Sequence, residues 1–580
     1  MVEFNHPYAP PGSRLYQNPS KKASLEKPIF PMSRVGQTIP EFDPAGRHKN
    51  IVQVAEAAIR GGAGTLQIVM MVPPGATGRG AHMHGKDVRE ALRELIKHNQ
   101  ANVIGVELPT SLNNVSGVNT QKNALDEETR KSHLDEIKHA IEFVADAFQG
   151  GGTDIVSWEF QRRMFDAEWN KQKQDGKPLF ENYPGEDKEA VVQFVDTRNG
   201  QIVPVRIREG VYIQRDPSTL EKTDKYEKWT WNDFRKFAEQ TNQDPYELFK
   251  SEYFQNQAKI ARFEASQKRR SLRKDLESPE YKRLKRKEES RLTAGEKEFL
   301  QSVEDQKGYI DAEERMAREH EERLLSLEPL SKVAKQKSVQ SYKELGLFCM
   351  EEESHRKNMK KNLYVGPEIG WPHSYGGHPD EFIELIQDSR KALAQHLQEK
   401  GFHGRKYTEE EARKAAHQHI KGCFDTGHVG MWLKHFRPDL PYHKRKEAFT
   451  KWYTEQVEKI AKADVVGSVQ IVDAHGGEHG HLPPGQGIFP LKESMEIFHK
   501  HGFTGPIVSE GHEEEKYHEG RIRSQAWRTL GSPISQSYGA PRFGDIERNY
   551  VGGLVSPKMM FGSYTPPFGE YKPWSDIPFE

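Results

Sequence analysis

The stretch Gly422-Cys423-Phe424-Asp425-Thr426-Gly427-His428-Val429-Gly430 places a carboxylate and an imidazole three residues apart at the end of a short apolar run. At the mouth of a strand, that pair suits a metal site or a proton-transfer site. Other apolar runs end in the same way. Glu107 closes the run from Val103 to Leu108, and Glu368 closes the one that opens at Leu363. Gln470 and Asp473 lead into His475, Glu478, His479 and His481, ahead of Pro483-Pro484-Gly485-Gln486-Gly487. Ser509-Glu510 follows the run from Pro506, with His512 beyond. Singly, a Glu after a strand reads as a helix cap or surface charge, and a His as a loop residue. Together they read differently. Unpaired carboxylates gathered at one mouth repel, and a divalent cation is the simplest compensation. Mixed carboxylate and imidazole ligands suit Zn²⁺, Mn²⁺, Fe²⁺ or Co²⁺ better than Ca²⁺.

The elements that must position these residues alternate. Without the segment 160–334, eight strand signals fall near 35, 68, 105, 155, 365, 423, 469 and 507, separated by amphipathic helical stretches such as 86–98, 126–148 and 445–462. Leu66 to Val72 is nearly continuous in apolar residues, as in a strand buried on both faces. Eight such units predict an α/β fold, a (β/α)8 TIM barrel whose working residues sit at the strand ends. A doubly wound sheet is the alternative, but no Gly-rich phosphate turn follows the first strand. The predicted divisions are an extended arm at 1–32, the first barrel half at 33–159, an insertion at 160–334, the second half at 335–529, and an arm rich in aromatics, Pro and Gly at 530–580. The first arm reads as extended and disordered, with docking along a partner subunit as the alternative; the second is expected to pack across the barrel or a neighbouring subunit, and the terminal arms are the route to a homo-oligomer.

The insertion opens with a hairpin, Val191–Val195 and Ile202–Ile207 around Asn199-Gly200, and continues as a charged helical region. Its densest part is basic: Lys268, Arg269, Arg270, Arg273, Lys274, Lys282, Arg283, Lys285, Arg286 and Lys287. Interleaved Glu residues favour a solvated helix face, while the local positive excess would serve contact with a nucleic-acid backbone. The whole chain has 85 Lys and Arg against 86 Asp and Glu, so its net charge of −1 exerts no global pull on nucleic acid or membrane. Two cysteines, Cys349 and Cys423, exclude a disulfide framework. No run of 18 apolar residues occurs, and a cytoplasmic protein without membrane partners is expected.

Phe424-Asp425-Thr426-Gly427-His428, Pro367-Glu368, the strand-seven segment with Gly485 and Gly487, and Glu510 resemble the xylose isomerase-like TIM barrels, which include endonuclease IV and sugar isomerases and epimerases. The resemblance covers 33–157 and 335–512. It implies that Glu368, Asp425 and Glu510 hold a central metal and that His428 binds a further metal or the substrate. The family's strand-seven histidine falls on Gln470, three before Asp473, so the ligand there is Gln470 or His475. The loop Asp-x-His of endonuclease IV falls on His479 and His481. That enzyme's histidines ending strands three and four fall on Glu107 and Ser157, so one metal, or two bridged by Glu107, is expected in place of a three-zinc cluster.

Three functions follow. The favoured one is a metal-dependent isomerase or epimerase of a sugar or related polyol, with Glu368 or Glu510 moving a proton and His428 orienting substrate. The second is an endonuclease IV-like phosphodiester hydrolase tracking nucleic acid with the insertion. The third is a non-catalytic protein that keeps the barrel as a scaffold.

Overall fold

The computed structural model describes residues 28–41, 50–70, 80–170, 177–510, 521–531, 558–560 and 563–565. Its centre is a closed barrel of eight parallel strands: β1 (Val35–Pro40), β2 (Thr65–Val69), β3 (Asn102–Glu107), β4 (Gly151–Val156), β5 (Leu363–Glu368), β6 (Gly422–Asp425), β7 (Val466–Ile471) and β8 (Ile507–Ser509). Each strand pairs with its neighbour in sequence, and β1 pairs with β8 through Val35↔Ile507 and Gln37↔Ser509. A helix follows every strand: α1 (Ile51–Arg60), α2 (Lys86–Asn99), α3 (Glu127–Phe148), α4 (Leu330–Ser354), α5 (Pro379–Glu399), α6 (Tyr442–Ala463), α7 (Leu491–Lys500) and α8 (Arg521–Thr529). This is the expected (β/α)8 barrel, with its insertion after strand four.

The strands are buried on both faces. All five residues of β2 and all six of β4 and β5 are buried. Their outer side chains pack against the helices in a continuous apolar layer that includes Phe382, Ile386, Leu393, Phe424, Val457, Val469, Ile507 and Trp527. Close strand approach is built in at Gly105, where φ is +140° and a Cβ would meet the Gly152 carbonyl oxygen at 1.8 Å. Helix α8 closes the ring: Trp527 Nε1 donates to the Val35 carbonyl at 3.0 Å, and Arg523 reaches the Gln37 side chain at 2.5 Å. Ile29 N donates to the Leu530 carbonyl at 2.9 Å.

The chain divides into two compact units. The barrel unit comprises 1–118, 127–183 and 334–580; the other comprises 119–126 and 184–333. In the second unit Val191–Asp196 pairs with Ile202–Arg206 around Gly200 at φ +76°, and Leu327–Pro329 adds a third strand. A further hairpin joins Val211–Arg215 to Lys222–Trp229. Two 33-residue helices, Pro245–Glu277 and Ala294–Ser326, then run antiparallel, as the pairs Arg262–Glu321 and Asp275–Gln306 show. Ala265, Leu272, Val303 and Ile310 fill their seam. The arm expected at 1–32 lies outside the described residues as far as residue 27. Most of the arm expected at 530–580 lies outside them too, except 530–531 and a short strand pair, Lys558–Met560 with Ser563–Thr565.

Among the described residues no helix is long and apolar enough to cross a membrane.

Candidate metal centre

Asp425 is the last residue of β6, and the chain turns directly into the short helix Thr426–Gly430. It caps that helix. Its Oδ1 accepts from Gly427 N at 2.5 Å and from His428 N at 3.1 Å. Its Oδ2 is buried and has no hydrogen-bond partner. Glu368, ending β5, also leaves one carboxylate oxygen unpartnered. His428 Nδ1 lies 3.2 Å from Oε1, while Oε2 is buried and unpartnered. Ligand atoms of Glu368, Asp425 and His428 all lie within 4.8 Å of one another.

Gln470 lies directly across from Asp425 in the β6–β7 register and is fully buried. Its Nε2 donates to Glu107 Oε2 at 2.7 Å and to Gln67 Oε1 at 3.1 Å, and its Oε1 is the third buried, unpartnered oxygen. Below it, Gln67 Nε2 donates to Asp154 Oδ2 at 3.0 Å, and Ser468 Oγ donates to the same oxygen at 3.3 Å. The barrel interior is therefore a polar stack, with Asp154 on β4 as its floor.

Electrostatics follow from this packing. Burial is the main cause that pushes the Glu368 carboxyl well above its ordinary range, aided by the charges of Glu107, Asp425 and Glu510. Asp425 is raised for the same first reason, partly offset by His428 and His481. Burial raises Asp154 to about 7. Glu368 Oε2 and Asp425 Oδ2, buried and unpartnered among acids with His428 close by, are donors that a divalent cation fits, and Gln470 Oε1 is a further buried, unpartnered oxygen on the next strand.

Three histidines and two tryptophans surround the site. His428 Nδ1 lies 2.6 Å from the Ile369 carbonyl, which commits that nitrogen as a donor and leaves the lone pair on Nε2. Nε2 accepts from Trp371 Nε1 at 3.3 Å and lies 3.1 Å from His479 Nε2. Trp371 packs on Trp158 with ring centroids 4.7 Å apart and on His479 at 5.4 Å. His481 Nδ1 stands 3.6 Å from Glu510 Oε2.

Residues 367–527 match the family model of the xylose isomerase-like TIM barrel. Over that span the second half of the barrel is similar to the xylose isomerase-like TIM barrels. None of the curated proteins compared matches the chain. The matched span holds every residue of the xylose isomerase-like barrel expected on strands five to eight, and geometry sorts them. Glu368, Asp425 and His428 are brought together, and Gln470 is the register partner of Asp425 on the next strand. Glu107 joins them through Gln470, His479 through His428, and Glu510 through its action on Glu368 and Asp425. His475 is exposed; its backbone N–H is held by the Glu478 carboxylate at 2.9 Å, and the geometry does not gather it with the others. Asp473 organises the following loop, accepting from Ala474, Phe489 and Gly485. Ser157, after β4, is buried with its Oγ unpartnered. His512 lies outside the described residues.

Sequence reasoning missed Gln67, Asp154, Trp158 and Trp371. A polar residue inside an apolar strand, as in Leu66-Gln67-Ile68 and Asp154-Ile155-Val156, was the available signal for the first two.

The basic residues of the insertion lie in its helical hairpin. Arg269 pairs with Glu314, while Arg283 and Lys287 share Glu296 at 3.4 and 2.6 Å. Lys268 stands 5.4 Å over the Tyr309 ring. Arg270, Arg273, Lys274, Lys282, Lys285 and Arg286 are exposed.

Proposed function

We propose that this chain is a metal-dependent isomerase or epimerase acting on a sugar or related polyol. The observation that supports it is the set of three unpartnered buried oxygens, Glu368 Oε2, Asp425 Oδ2 and Gln470 Oε1, on adjacent strands of a xylose isomerase-like barrel. With Glu510 they would hold a divalent cation of the Mn²⁺, Co²⁺, Fe²⁺ or Zn²⁺ group. When bound, such an ion supplies polarisation of a substrate carbonyl and of the hydroxyl beside it.

The chain's own groups supply the rest. Glu510 beside His481, or Glu368 beside His428, carries the proton between neighbouring carbons. His428 Nε2, its tautomer fixed by the Ile369 carbonyl, orients a substrate hydroxyl. Trp158 and Trp371 offer an apolar wall to the C–H face of a polyol. The hydrolase reading draws on the basic insertion, where three of the ten cations are already taken by Glu296 and Glu314.

Metal analysis of the purified protein and of Asp425→Ala tests the centre; the wild type is expected to retain the ion and the variant to lose it. Aldose–ketose and epimer panels, with and without Mn²⁺ or Co²⁺, test the reaction. A wild-type protein that retains no divalent ion sinks this function, and phosphodiester cleavage without sugar turnover replaces it with the hydrolase.

A further inference from the structure

A side-chain amide can turn either end toward a site, and the two ends act oppositely on a cation: the carbonyl oxygen ligates, the NH₂ group repels. Gln470 is therefore useful to the proposed metal centre in one orientation only. Two contacts decide it. Glu107 Oε2 at 2.7 Å is a carboxylate oxygen and takes the NH₂ end. Gln67 Oε1 at 3.1 Å takes the same end, but Gln67 is itself an amide that can reverse.

Gln67 is set by Asp154. Asp154 Oδ2 accepts from Gln67 Nε2 at 3.0 Å and from Ser468 Oγ at 3.3 Å, while Oδ1 has no partner. With Oδ2 accepting from both, Gln67 presents its NH₂ to Asp154 and its C=O to the Gln470 NH₂. The order Asp154, Gln67, Gln470 crosses the barrel from β4 to β2 to β7, and all three side chains are buried.

We propose that Asp154 and Gln67, neither of them a candidate ligand, are positioning residues that hold Gln470 with its carbonyl toward the metal, and that the centre so built ranks Mn²⁺ higher relative to Zn²⁺ than an imidazole at position 470 would. This rests on the metal-centre reading above. An amide oxygen is a hard donor that suits Mn²⁺ and Mg²⁺, whereas imidazole favours Zn²⁺. Partners behind a ligand set its direction, and their loss typically weakens metal binding by about 10- to 100-fold.

Calorimetric titration of the metal-free full-length protein with MnCl₂ and, separately, ZnCl₂ tests this. Gln470→His is expected to raise the Zn²⁺ to Mn²⁺ affinity ratio at least about tenfold. Gln67→Met, which keeps the shape and removes the relay, is expected to weaken Mn²⁺ about tenfold while the metal-free melting temperature stays at the wild-type value. Asp154→Asn, which lets the chain of amides reverse, is the variant to titrate if Gln67→Met does not fold, and the same weakening is expected. A ratio unmoved in Gln470→His, or Mn²⁺ affinity unmoved in the relay variant, overturns the inference and leaves the metal centre standing. Wild-type protein that binds neither ion overturns the centre and this inference with it.

Discussion

Replacing Asp154 by Asn is expected to change how stability depends on pH, and the size can be worked from the structure. Asp154 is fully buried, and burial holds its carboxyl at about 7 against an ordinary 3.8. Below the ordinary value both folded and unfolded chains carry the proton, and the group adds no penalty. Between 3.8 and 7 the unfolded chain releases the proton and the folded one keeps it, so stability falls as pH rises, by about 1.36 kcal/mol per pH unit. Above 7 both are ionised and the loss is complete, at about 4 kcal/mol. Asn carries no such titration. Measured without metal in the presence of a chelator, the stability of Asp154→Asn relative to wild type should therefore climb from pH 4 to pH 7 and then level off. For a barrel unit of roughly 400 residues, at about 2.1 cal/mol/K per residue, 4 kcal/mol corresponds to about 5 °C. Thermal melts of both proteins at pH 4.5, 6, 7 and 8 would show the gap opening. Two melting curves that run parallel across this range would refute the buried, proton-holding Asp154.

Two further outcomes are expected. Glu368→Gln should abolish retention of the divalent ion while raising the melting temperature of the metal-free protein, because it removes one carboxyl from a crowd that includes Glu107, Asp425 and Glu510; metal analysis and a melt check the two halves. Val303→Ala, in the seam of the helical hairpin, should destabilise the insertion unit by about 2–3 kcal/mol through lost burial and a small cavity, read by denaturant unfolding, and leave metal content unchanged.

The eight barrel strands were legible because a parallel strand buried on both faces must be apolar almost throughout, and little else in the chain is. The hairpin at Val211–Trp229 was not, because Lys222 to Lys228 alternates charge with no buried face, so its pairing leaves no hydrophobic period. Glu368, Asp425 and Gln470 could be named from strand ends alone. The direction of a loop could not: His475 sits two residues past Asp473, and only the turn that Asp473 organises carries it outward. Gln67 and Asp154 stayed hidden for a related reason. Their roles depend on which strands face each other across the barrel, and that is a property of closure, not of any local stretch.

The clasp of α8 on β1 has a consequence for how the protein is made. Val35 and Gln37 leave the ribosome almost five hundred residues ahead of their partners Ile507, Ser509, Arg523 and Trp527. The insertion unit is local in sequence, almost all within 184–333, and can fold while synthesis continues. The barrel cannot. At about 5–20 residues per second, β1 waits on the order of half a minute or more with its pairing edge open. During that interval the open edge is a template for pairing with the wrong neighbour.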